Sequence, residues 1–379
     1  MPRRKSHARQ ARTASTIWTS DRPTNHRHFF SRFTLHFAIC SAKSQQEQSE
    51  EGRRETVTQL HPLQPIDAVI TWVDGNTVAH RRLRAQYMAQ EGLPLGENAR
   101  NPHRWESSGE ITFCLHSIHN HAPWVRIIWI IVDRDPPPLD SLPAALRAKV
   151  RIVTHDTIFA GYANALPTFN SLAIETVMWR IKGLSEQFLY FNDDVFLSAP
   201  LSPEDVFVGG HPVLRGQWRD NAALANDPAA RDDPAMFGHL VQINAAALAG
   251  YSAEHLFAAA HVVHPMRRSI MQQLFATHRP AVVRNIAGRF RQVDQFLPQG
   301  AHNHLAIRQG EAVISEAYDW VHIKSGQGVG VAPGLTRAAL EAAAQSGIRF
   351  LCVNDLPQLE ALVHDARALI ARVTGAGID

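Results

Sequence analysis

The sequence predicts an α/β protein built on a mainly parallel sheet, with a helical inserted or capping layer in its second half. Two observations support this fold class. From residue 66 onward, short apolar runs alternate with segments whose apolar residues recur at helical spacing, a pattern typical of βαβ units. Several apolar runs also end directly at an aspartate, as expected where parallel strands deliver polar side chains to one edge of a sheet.

In the first half, the predicted strands are apolar runs and the predicted helices have one apolar face. Ile66–Val73 predicts a buried strand that ends at the turn signal Asp74-Gly75. Glu110–His121 predicts a helix, because its apolar residues recur every three or four positions. The same criteria predict strands at Val125–Val132 and Val150–Thr154, a helix at Ser171–Ile181, and a strand that runs from Phe188 into Asp193-Asp194.

The second half is more helical and less regular, and we assign it to the inserted or capping layer. The pattern predicts three helices, at His239–Leu248, Pro265–Thr277 and Ala301–Gln309. Ile348–Val353 predicts a last strand, and Leu356–Val373 predicts an amphipathic closing helix. Combined with the first half, this element order indicates a Rossmann-like fold.

The segment Phe188–Leu197, FLYFNDDVFL, carries the clearest chemical signal. An aromatic-rich apolar run opens onto Asp193 and Asp194 and then becomes apolar again. Enzymes that act on sugar nucleotides often use such a pair to hold a divalent cation against a diphosphate, since Mg²⁺ usually binds one or two carboxylates together with substrate phosphates. The alternative is an acidic turn that ends a core strand. Asp74 and Asp133 also follow predicted strands. Because ligands bind at the carboxyl ends of the strands in such sheets, this pattern indicates an active site at that edge of the sheet.

Residues 1–60 differ in composition from the rest of the chain. They hold 11 Lys and Arg against 5 Asp and Glu, whereas the remaining residues hold 27 against 30. We predict a disordered basic tail over residues 1–60 and a catalytic domain over residues 61–379. An alternative is that the tail binds an anionic membrane. The folded part has no basic excess that would indicate nucleic-acid binding.

Cysteine usage and hydropathy restrict the cellular setting. Cys40, Cys114 and Cys352 lie far apart and form no CxxC motif, so the sequence predicts neither a disulfide framework nor a zinc site. The longest apolar run, Ile127–Val132, is far shorter than the ~20 residues of a membrane-spanning helix. We expect a cytoplasmic protein, with peripheral association of the tail with the inner membrane as an alternative.

Four blocks of the sequence resemble, in order, the conserved regions of the Stealth family of sugar-phosphate transferases. The first is IDAVITWVDG at residues 66–75, and the second spans residues 104–197 and closes with PTFNSLAIETVMWRIKGLSEQFLYFNDDVFL. The third, residues 261–291, begins with HVVHPMRRSIMQQL and ends with GRFR, and the fourth is FLCVND at residues 350–355. The TWVDG string and the PTFNS…YFNDD combination are specific to this family.

The resemblance implies a reaction class. Stealth proteins include bacterial capsule polysaccharide polymerases and the animal transferase that begins the mannose-6-phosphate tag. A member is expected to transfer a sugar-1-phosphate, such as N-acetylglucosamine-1-phosphate, from a UDP-sugar to a hydroxyl of a glycan acceptor. The product is a phosphodiester of a capsule or exopolysaccharide, and the cofactor is Mg²⁺ or Mn²⁺.

The resemblance also implies roles at the phosphates. Asp194 corresponds to the functionally required second aspartate of the NDD string, and we assign Asp193 and Asp194 as metal ligands. Arg291 corresponds to the essential arginine of the third region, with Arg289 beside it as a substrate contact. Arginine suits this role because its guanidinium is permanently charged and binds phosphate through two parallel hydrogen bonds. The competing interpretation is that both arginines are solvated surface charges.

The proton of the acceptor hydroxyl needs a base, for which histidine or a carboxylate is suitable. Glu175 matches a glutamate that the family uses for catalysis. The family's catalytic histidine aligns with His261, and His264 is a rival because the segment reads HVVHP.

Five further residues are assigned to substrate binding, most of them with a structural alternative. Asp74, with Gly75, either binds the nucleotide or caps the next helix. Asn170 either donates a hydrogen bond to substrate or caps the helix that carries Glu175. Asn354 and Asp355 follow the last strand, where capping is the alternative to a role in the active site.

Two other functions fit parts of the sequence. A metal-dependent glycosyltransferase would use the same acidic pair but would release a nucleoside diphosphate. A non-catalytic module of glycan assembly would need none of the candidate catalytic residues. The set of Glu175, His261 and Arg291 favours phosphoryl transfer over both.

Overall fold

The structure of the protein is a computed structural model that describes residues 64–91, 105–323 and 333–377. The predicted basic tail lies outside these residues. The strands are β1 (Ile66–Thr71), β2 (Ile128–Val132), β3 (Val150–Thr154), β4 (Gln187–Asn192), β5 (Val195–Leu197), β6 (Phe207–Val208), β7 (His211–Leu214), β8 (Gly216–Arg219), β9 (Leu256–Ala259), β10 (His264–Arg267), β11 (Val313–Ile314), β12 (Trp320–Ile323) and β13 (Phe350–Val353).

The helices separate the strands along most of the described chain. They are α1 (Val78–Glu91), α2 (Glu110–His121), α3 (Ala144–Arg147), α4 (His155–Ile158), α5 (Ser171–Val177), α6 (Ala222–Ala225), α7 (Phe237–Leu248), α8 (Arg268–Thr277), α9 (Arg279–Ala287), α10 (Pro298–Gln309), α11 (Pro333–Ala342), α12 (Leu356–Leu362) and α13 (Ala366–Thr374). No helix in the described ranges is long and apolar enough to cross a membrane.

The central sheet has five strands in the order β10-β4-β1-β2-β3. Strand β1 pairs in parallel with both β2 and β4, and β2 pairs in parallel with β3. Only β10, at one edge of this sheet, is antiparallel to its neighbour. This arrangement confirms the predicted α/β class with a mainly parallel sheet.

Both faces of the central sheet are covered, because side chains alternate along each strand. In β1, Ala68 and Ile70 pack into one core together with α2 and the C-terminal helices. Val69 points to the opposite face, where it meets Tyr190 and the apolar side of α5. The near-continuous apolar character of β1 and β4 therefore follows from burial on two sides.

A second sheet has three strands in the order β12-β13-β5 and is connected to the first sheet where β4 leads into β5. Strand β5 follows β4 after only Asp193 and Asp194, and it pairs antiparallel with β13. The two aspartates therefore sit at the junction of the two sheets, next to the end of β13.

Two predicted helices are corrected by the structure. Residues 264–267 form β10 rather than the start of a helix, because they pair with Gln187–Tyr190 at the edge of the central sheet. The predicted closing helix is two helices, α12 and α13, since Val363 adopts an extended conformation (φ −132°, ψ 94°) that ends the first of them. Periodicity cannot detect either event, since both depend on tertiary pairing or on one backbone angle.

One buried charge is built into β1. Asp67 accepts hydrogen bonds from Arg126 Nε (2.8 Å), from Trp129 Nε1 (3.0 Å) and from the Ser185 backbone N–H (3.0 Å). Burial acts to raise the pKa of Asp67, but these hydrogen bonds outweigh it and hold the pKa below its usual range. The ionised carboxylate thus anchors the connection before β4 to the start of β2.

Helix α10 is buried along most of its length and contains two neutral histidines. His302 Nε2 accepts a hydrogen bond from the Arg267 N–H (2.9 Å), and His304 Nε2 accepts one from the Phe257 N–H (2.9 Å). Burial lowers the pKa of His302 to about 4 and also lowers the pKa of His304. Both rings therefore serve as uncharged acceptors for backbone donors of neighbouring strands.

We expect the protein to lose stability as pH falls below about 6.5, the ordinary histidine pKa. Between about pH 6.5 and pH 4, His302 is protonated in the unfolded chain but stays neutral in the folded protein. Lowering the pH in this range therefore favours unfolding. His302→Gln keeps an acceptor in reach of Arg267 but cannot titrate. The free energy of unfolding, measured with urea between pH 7.5 and 4.5, should change less with pH in this variant than in the wild type. The difference in slope should reach up to about 1.4 kcal/mol per pH unit. Equal slopes for the variant and the wild type would contradict a neutral buried His302.

Candidate active site

The ends of the parallel strands bring the predicted acidic residues to one edge of the central sheet. Thr71 in β1 pairs with Ile131 in β2 and with Asn192 in β4. Asp74, Asp133 and the Asp193-Asp194 pair follow these three strands, so they lie on the same side of the sheet. The structure thus assembles the acidic edge that the sequence predicts.

Asp194 is held by a residue from the last strand. Asn354 Nδ2 donates a hydrogen bond to Asp194 Oδ2 (2.8 Å), and the Val353 N–H donates to the Asp194 carbonyl (3.0 Å). The antiparallel pairing of β5 with β13 places these groups side by side. Asn354, assigned from the sequence to substrate binding or capping, therefore holds the Asp194 carboxylate in position.

Two histidines continue this network. His322 Nε2 lies 2.6 Å from Asn354 Oδ1, and the His322 ring stacks on that of His261 with a centroid distance of 5.1 Å. These contacts connect four side chains in series, which we call the Asp194 network: Asp194, Asn354, His322 and His261. The sequence did not indicate His322, since it is one of 21 histidines in the chain and no motif surrounds it.

One further carboxyl group, that of Glu110, lies near the Asp193-Asp194 pair. Glu110, in the first turn of α2, is buried, and burial together with the charge of Asp194 raises its pKa. Burial and the charges of Asp194 and Glu110 raise the pKa of Asp193 well above its usual range. Crowded carboxyls of this kind repel each other, and a bound cation would relieve the repulsion. Glu110 was not among the predicted site residues, although the Gly-Glu pair before a helix was visible in the sequence.

Glu175 lies in a separate, buried cluster behind this edge. Its side chain is 3% exposed, Oε1 accepts from the Tyr190 hydroxyl (3.0 Å), and Oε2 accepts from Gln299 Nε2 (2.9 Å). The Tyr190 hydroxyl also lies 3.0 Å from Thr71 Oγ1. The structure therefore ties Glu175 to the central sheet and to α10 and does not bring it into the Asp194 network.

Arg291 connects the two clusters through its charge. Its Nη2 donates to Ser171 Oγ (2.6 Å), and burial lowers its pKa while the charges of Glu175 and Asp194 oppose that shift. The guanidinium is thus a partly buried cation between two acidic groups. This placement contradicts the competing interpretation of Arg291 as a solvated surface charge.

Arg289 has a different role. Its Nε donates to the Pro167 carbonyl (2.8 Å), its guanidinium packs over Tyr87 at 4.5 Å, and Nη1 lies 3.5 Å from Glu91. These contacts hold the segment before α5 against α1. The assignment of Arg289 to substrate binding is therefore not supported by its contacts, which are structural.

Two other predicted binding residues are caps. Asn170 is 1% exposed, its oxygen accepts from the Leu172 N–H, and its amide donates to the Gly288 and Phe290 carbonyls. Asp355 adopts a left-handed conformation (φ 57°) and caps α12 by accepting from the Gln358 N–H. The capping alternatives describe both residues, since these polar groups are used within the protein.

His261 and His264 differ in accessibility. His261 is exposed at the Asp194 network, whereas His264 is 9% exposed and faces Tyr190 from the paired strand β10. Burial lowers the pKa of His264 to about 3, with His261 and His302 adding to the shift. A base with such a pKa is weak near neutral pH, so the geometry favours His261 for contact with substrate.

Asp74 lines a cleft between the end of β1 and helix α1, and Gly75 follows it in the chain. The cleft is also lined by His80 and Asp133, and Asp74 Oδ1 accepts from the Asn76 N–H (2.9 Å). A Cβ at Gly75 would overlap the carbonyl of Trp105, to which the Gly75 N–H donates (2.6 Å). Gly75 is therefore required by a close backbone approach, and Asp74 borders an open cleft.

The donor atoms at this edge suit a divalent cation. Asp193 and Asp194 offer carboxylate oxygens, which Mg²⁺ prefers and supplements with substrate phosphates. The described residues also include a group of three possible metal ligands. A carboxylate oxygen of Asp194, a ring nitrogen of His261 and the Sγ of Cys352 lie within 4.8 Å of one another. Cys114 and Cys352 are buried free thiols, while Cys40 lies outside the described ranges.

Two family models match the chain. The model of Stealth protein CR2, conserved region 2, matches residues 104–212, and that of Stealth protein CR1, conserved region 1, matches residues 64–92. The first match contains β2 to β6 with the Asp193-Asp194 pair, and the second contains β1 with Asp74. The matched ranges therefore include all four aspartates of the acidic edge.

Several curated relatives are named exopolysaccharide phosphotransferases. The chain is 34% identical over 262 residues to an exopolysaccharide phosphotransferase of Streptomyces coelicolor, a match that covers 66% of this chain and 42% of that protein. A second exopolysaccharide phosphotransferase of the same organism is 30% identical, with coverage of 81% and 49%, and one of Nocardia farcinica is 31% identical, with coverage of 79% and 58%. The chain spans about half the length of these curated relatives.

Solved structures resemble the chain more distantly. The galactosyltransferase LgtC, crystallised in complex with donor and acceptor sugar analogues, matches 83% of this chain and 96% of its own chain, with a TM-score of 0.44 and 9% identity.

Proposed function

Because the chain belongs to the Stealth family, we propose that it is an exopolysaccharide phosphotransferase that moves a sugar-1-phosphate from a nucleotide sugar to a hydroxyl group of a glycan. The observation that carries the proposal is the Asp194 network, which places a carboxylate and an exposed histidine side by side at the carboxyl edge of the sheet. The relatives named exopolysaccharide phosphotransferases support the same reaction class.

The proposed reaction is a displacement at phosphorus. The acceptor hydroxyl attacks the phosphorus that carries the sugar, a new P–O bond forms, and the P–O bond to the bridging oxygen breaks. The nucleoside monophosphate leaves with that oxygen, and the acceptor proton moves to a ring nitrogen of His261. His261 is suited to this step because it is exposed and lies beside Asp194 through the His322–Asn354 contacts.

Charge on the diphosphate must be neutralised during the displacement. We propose that Mg²⁺ or Mn²⁺, held by Asp193 and Asp194, supplies this neutralisation when bound. Arg291 would contribute a permanent positive charge from the other side, since its guanidinium interacts with both Glu175 and Asp194. In this view Glu175 keeps Arg291 and Tyr190 in place rather than taking a proton.

We propose that the nucleotide part of the donor occupies the cleft bordered by Asp74 and Asp133. Two ring nitrogens in this region, His80 Nδ1 and His155 Nδ1, are buried without a hydrogen-bond partner among the described residues. His155 Nδ1 lies 3.7 Å from Asp133 Oδ1, and burial lowers the pKa of His155 to about 4, so its ring is neutral. Neutral imidazoles beside carboxylates can accept from and donate to the base and ribose of a nucleotide.

The finer assignments follow the same proposal. The donor would be a UDP-sugar such as UDP-N-acetylglucosamine, the acceptor a capsule-type glycan, and the compartment the cytoplasm. Residues 1–60 would provide a basic segment for peripheral association with the inner membrane.

The proposal is tested by identifying the nucleotide that is released. The purified protein with Mg²⁺, a panel of UDP-sugars and a capsule-type glycan should release UMP, detected by chromatography, together with a phosphodiester-linked product. Release of UDP instead would assign the protein to the metal-dependent glycosyltransferases. Absence of any turnover across the panel would favour the non-catalytic module of glycan assembly.

A further inference from the structure

The structure joins a thiol to the Asp194 network. A carboxylate oxygen of Asp194, a ring nitrogen of His261 and the Sγ of Cys352 lie within 4.8 Å of one another. The three residues come from the turn between β4 and β5, from the segment before β10 and from β13. Since Cys352 pairs with Val195 across two adjacent strands, the position of its thiol relative to Asp194 is set by the sheet.

The donor set differs from what Mg²⁺ requires. One oxygen, one nitrogen and one sulfur, with a fourth position left to water, is the arrangement of Zn²⁺ sites with three protein ligands. Thiolates select Zn²⁺ and related softer ions, whereas Mg²⁺ takes oxygen ligands in an octahedral geometry. The same carboxylate can therefore serve two classes of cation, depending on whether Cys352 takes part.

The burial of the three residues defines an entry path. Cys352 is fully buried, Asp194 is half-buried and His261 is exposed, so an ion would reach the thiol from the solvent side past His261. Coordination would release the thiol proton of Cys352 to solvent and needs no oxidant or reductant.

We propose that Asp194, His261 and Cys352 form a binding site for Zn²⁺ and similar thiophilic divalent cations. An ion bound at this site inhibits sugar-phosphate transfer, because His261 and Asp194 then coordinate that ion and are not available to the substrate. The inhibition rests on the function proposed above, whereas the binding does not.

Cadmium is a suitable probe, since a Cd²⁺–thiolate bond produces an ultraviolet charge-transfer absorption that Mg²⁺ and Asp or His ligands do not. All variants are made in the full-length chain with Cys40→Ser. The parent protein should bind one Cd²⁺ with this absorption, and Zn²⁺ should displace it. Cys352→Ser should lose the absorption, and His261→Gln should weaken Cd²⁺ binding by at least about tenfold.

Cys114→Ser is the matched control. Cys114 is also a buried free thiol at this edge, with its Sγ 4.0 Å from the Asn192 carbonyl, but it does not belong to the three-ligand set. Its variant should keep both the absorption and the affinity. Loss of the absorption in Cys114→Ser, or its persistence in Cys352→Ser, would overturn the site.

Three further outcomes test the site and its effect on the enzyme separately. If Cys352→Ser does not fold, the exposed His261 still provides the test, and unchanged Cd²⁺ affinity in His261→Gln would refute the proposal. If Cd²⁺ binds as expected and transfer activity is absent, the site stands and the proposed function fails. Transfer that continues at full rate with the site saturated by Zn²⁺ would refute the inhibition.

Discussion

Replacing Asp194 by asparagine should lower the rate of UMP release by about a hundred- to a thousandfold, the loss expected when a key electrostatic group is removed from a transfer reaction. The substitution keeps the size of the side chain but removes the charge that would hold a divalent cation against the diphosphate. Initial rates at saturating donor and acceptor, compared with those of the wild type, measure the effect.

The folded state should tolerate this change. Asp194 raises the pKa of Asp193 and of Glu110, so removing its charge relieves repulsion within the carboxyl group cluster. The thermal midpoint of Asp194→Asn is therefore expected to equal or exceed that of the wild type, which separates a catalytic loss from unfolding. Asp294→Asn is a suitable control, because Asp294 is exposed on the segment that follows Arg291. Full activity in Asp194→Asn would remove this residue from the proposed mechanism.

Asp319→Asn should destabilise the protein by about 3–5 kcal/mol, the usual loss when one member of a buried ion pair is removed. The Asp319 carboxylate accepts from Arg215 Nε (2.8 Å) and Nη2 (2.9 Å), and both side chains are 3% exposed. The Arg215 guanidinium also packs over Phe350 at 4.5 Å, so it cannot reach solvent without disturbing β13. Urea unfolding at pH 7.5 provides the measurement.

Two comparisons identify the cause of this loss. Asp365→Asn removes a carboxylate from the exposed pair with Arg337 and should leave the urea midpoint unchanged. Replacing both members of the buried pair, Arg215→Met with Asp319→Leu, should recover most of the stability, because no uncompensated charge remains. If the double variant is as unstable as Asp319→Asn, the loss comes from packing and not from the unpaired guanidinium.

The fold of the first half could be predicted closely because its signals are local. The predicted bounds of Glu110–His121 and Val150–Thr154 agree with α2 and β3. In these segments the period of the apolar residues and the flanking turn signals coincide with burial in the structure. The misassigned β10 lacks such a signal, since Pro265–Arg267 becomes a strand only by pairing with β4.

The sequence by itself determined the acidic edge of this protein. Asp74, Asp133 and Asp193 each follow an apolar run. The carboxyl ends of parallel strands meet at one edge of a sheet, and this holds independently of how the other segments fold. The specific strings around them were also sufficient to indicate the family.

Only the tertiary structure decided which residues join Asp194. Asn354 lies 160 positions from Asp194 in sequence, and its contact depends on the pairing of β5 with β13. The same pairing brings Cys352 to the edge, although the spacing of the cysteines predicts no metal site. Such contacts are invisible to periodicity, because hydrogen bonding and burial between distant segments depend on how whole strands pack and not on the residues next to them in the chain.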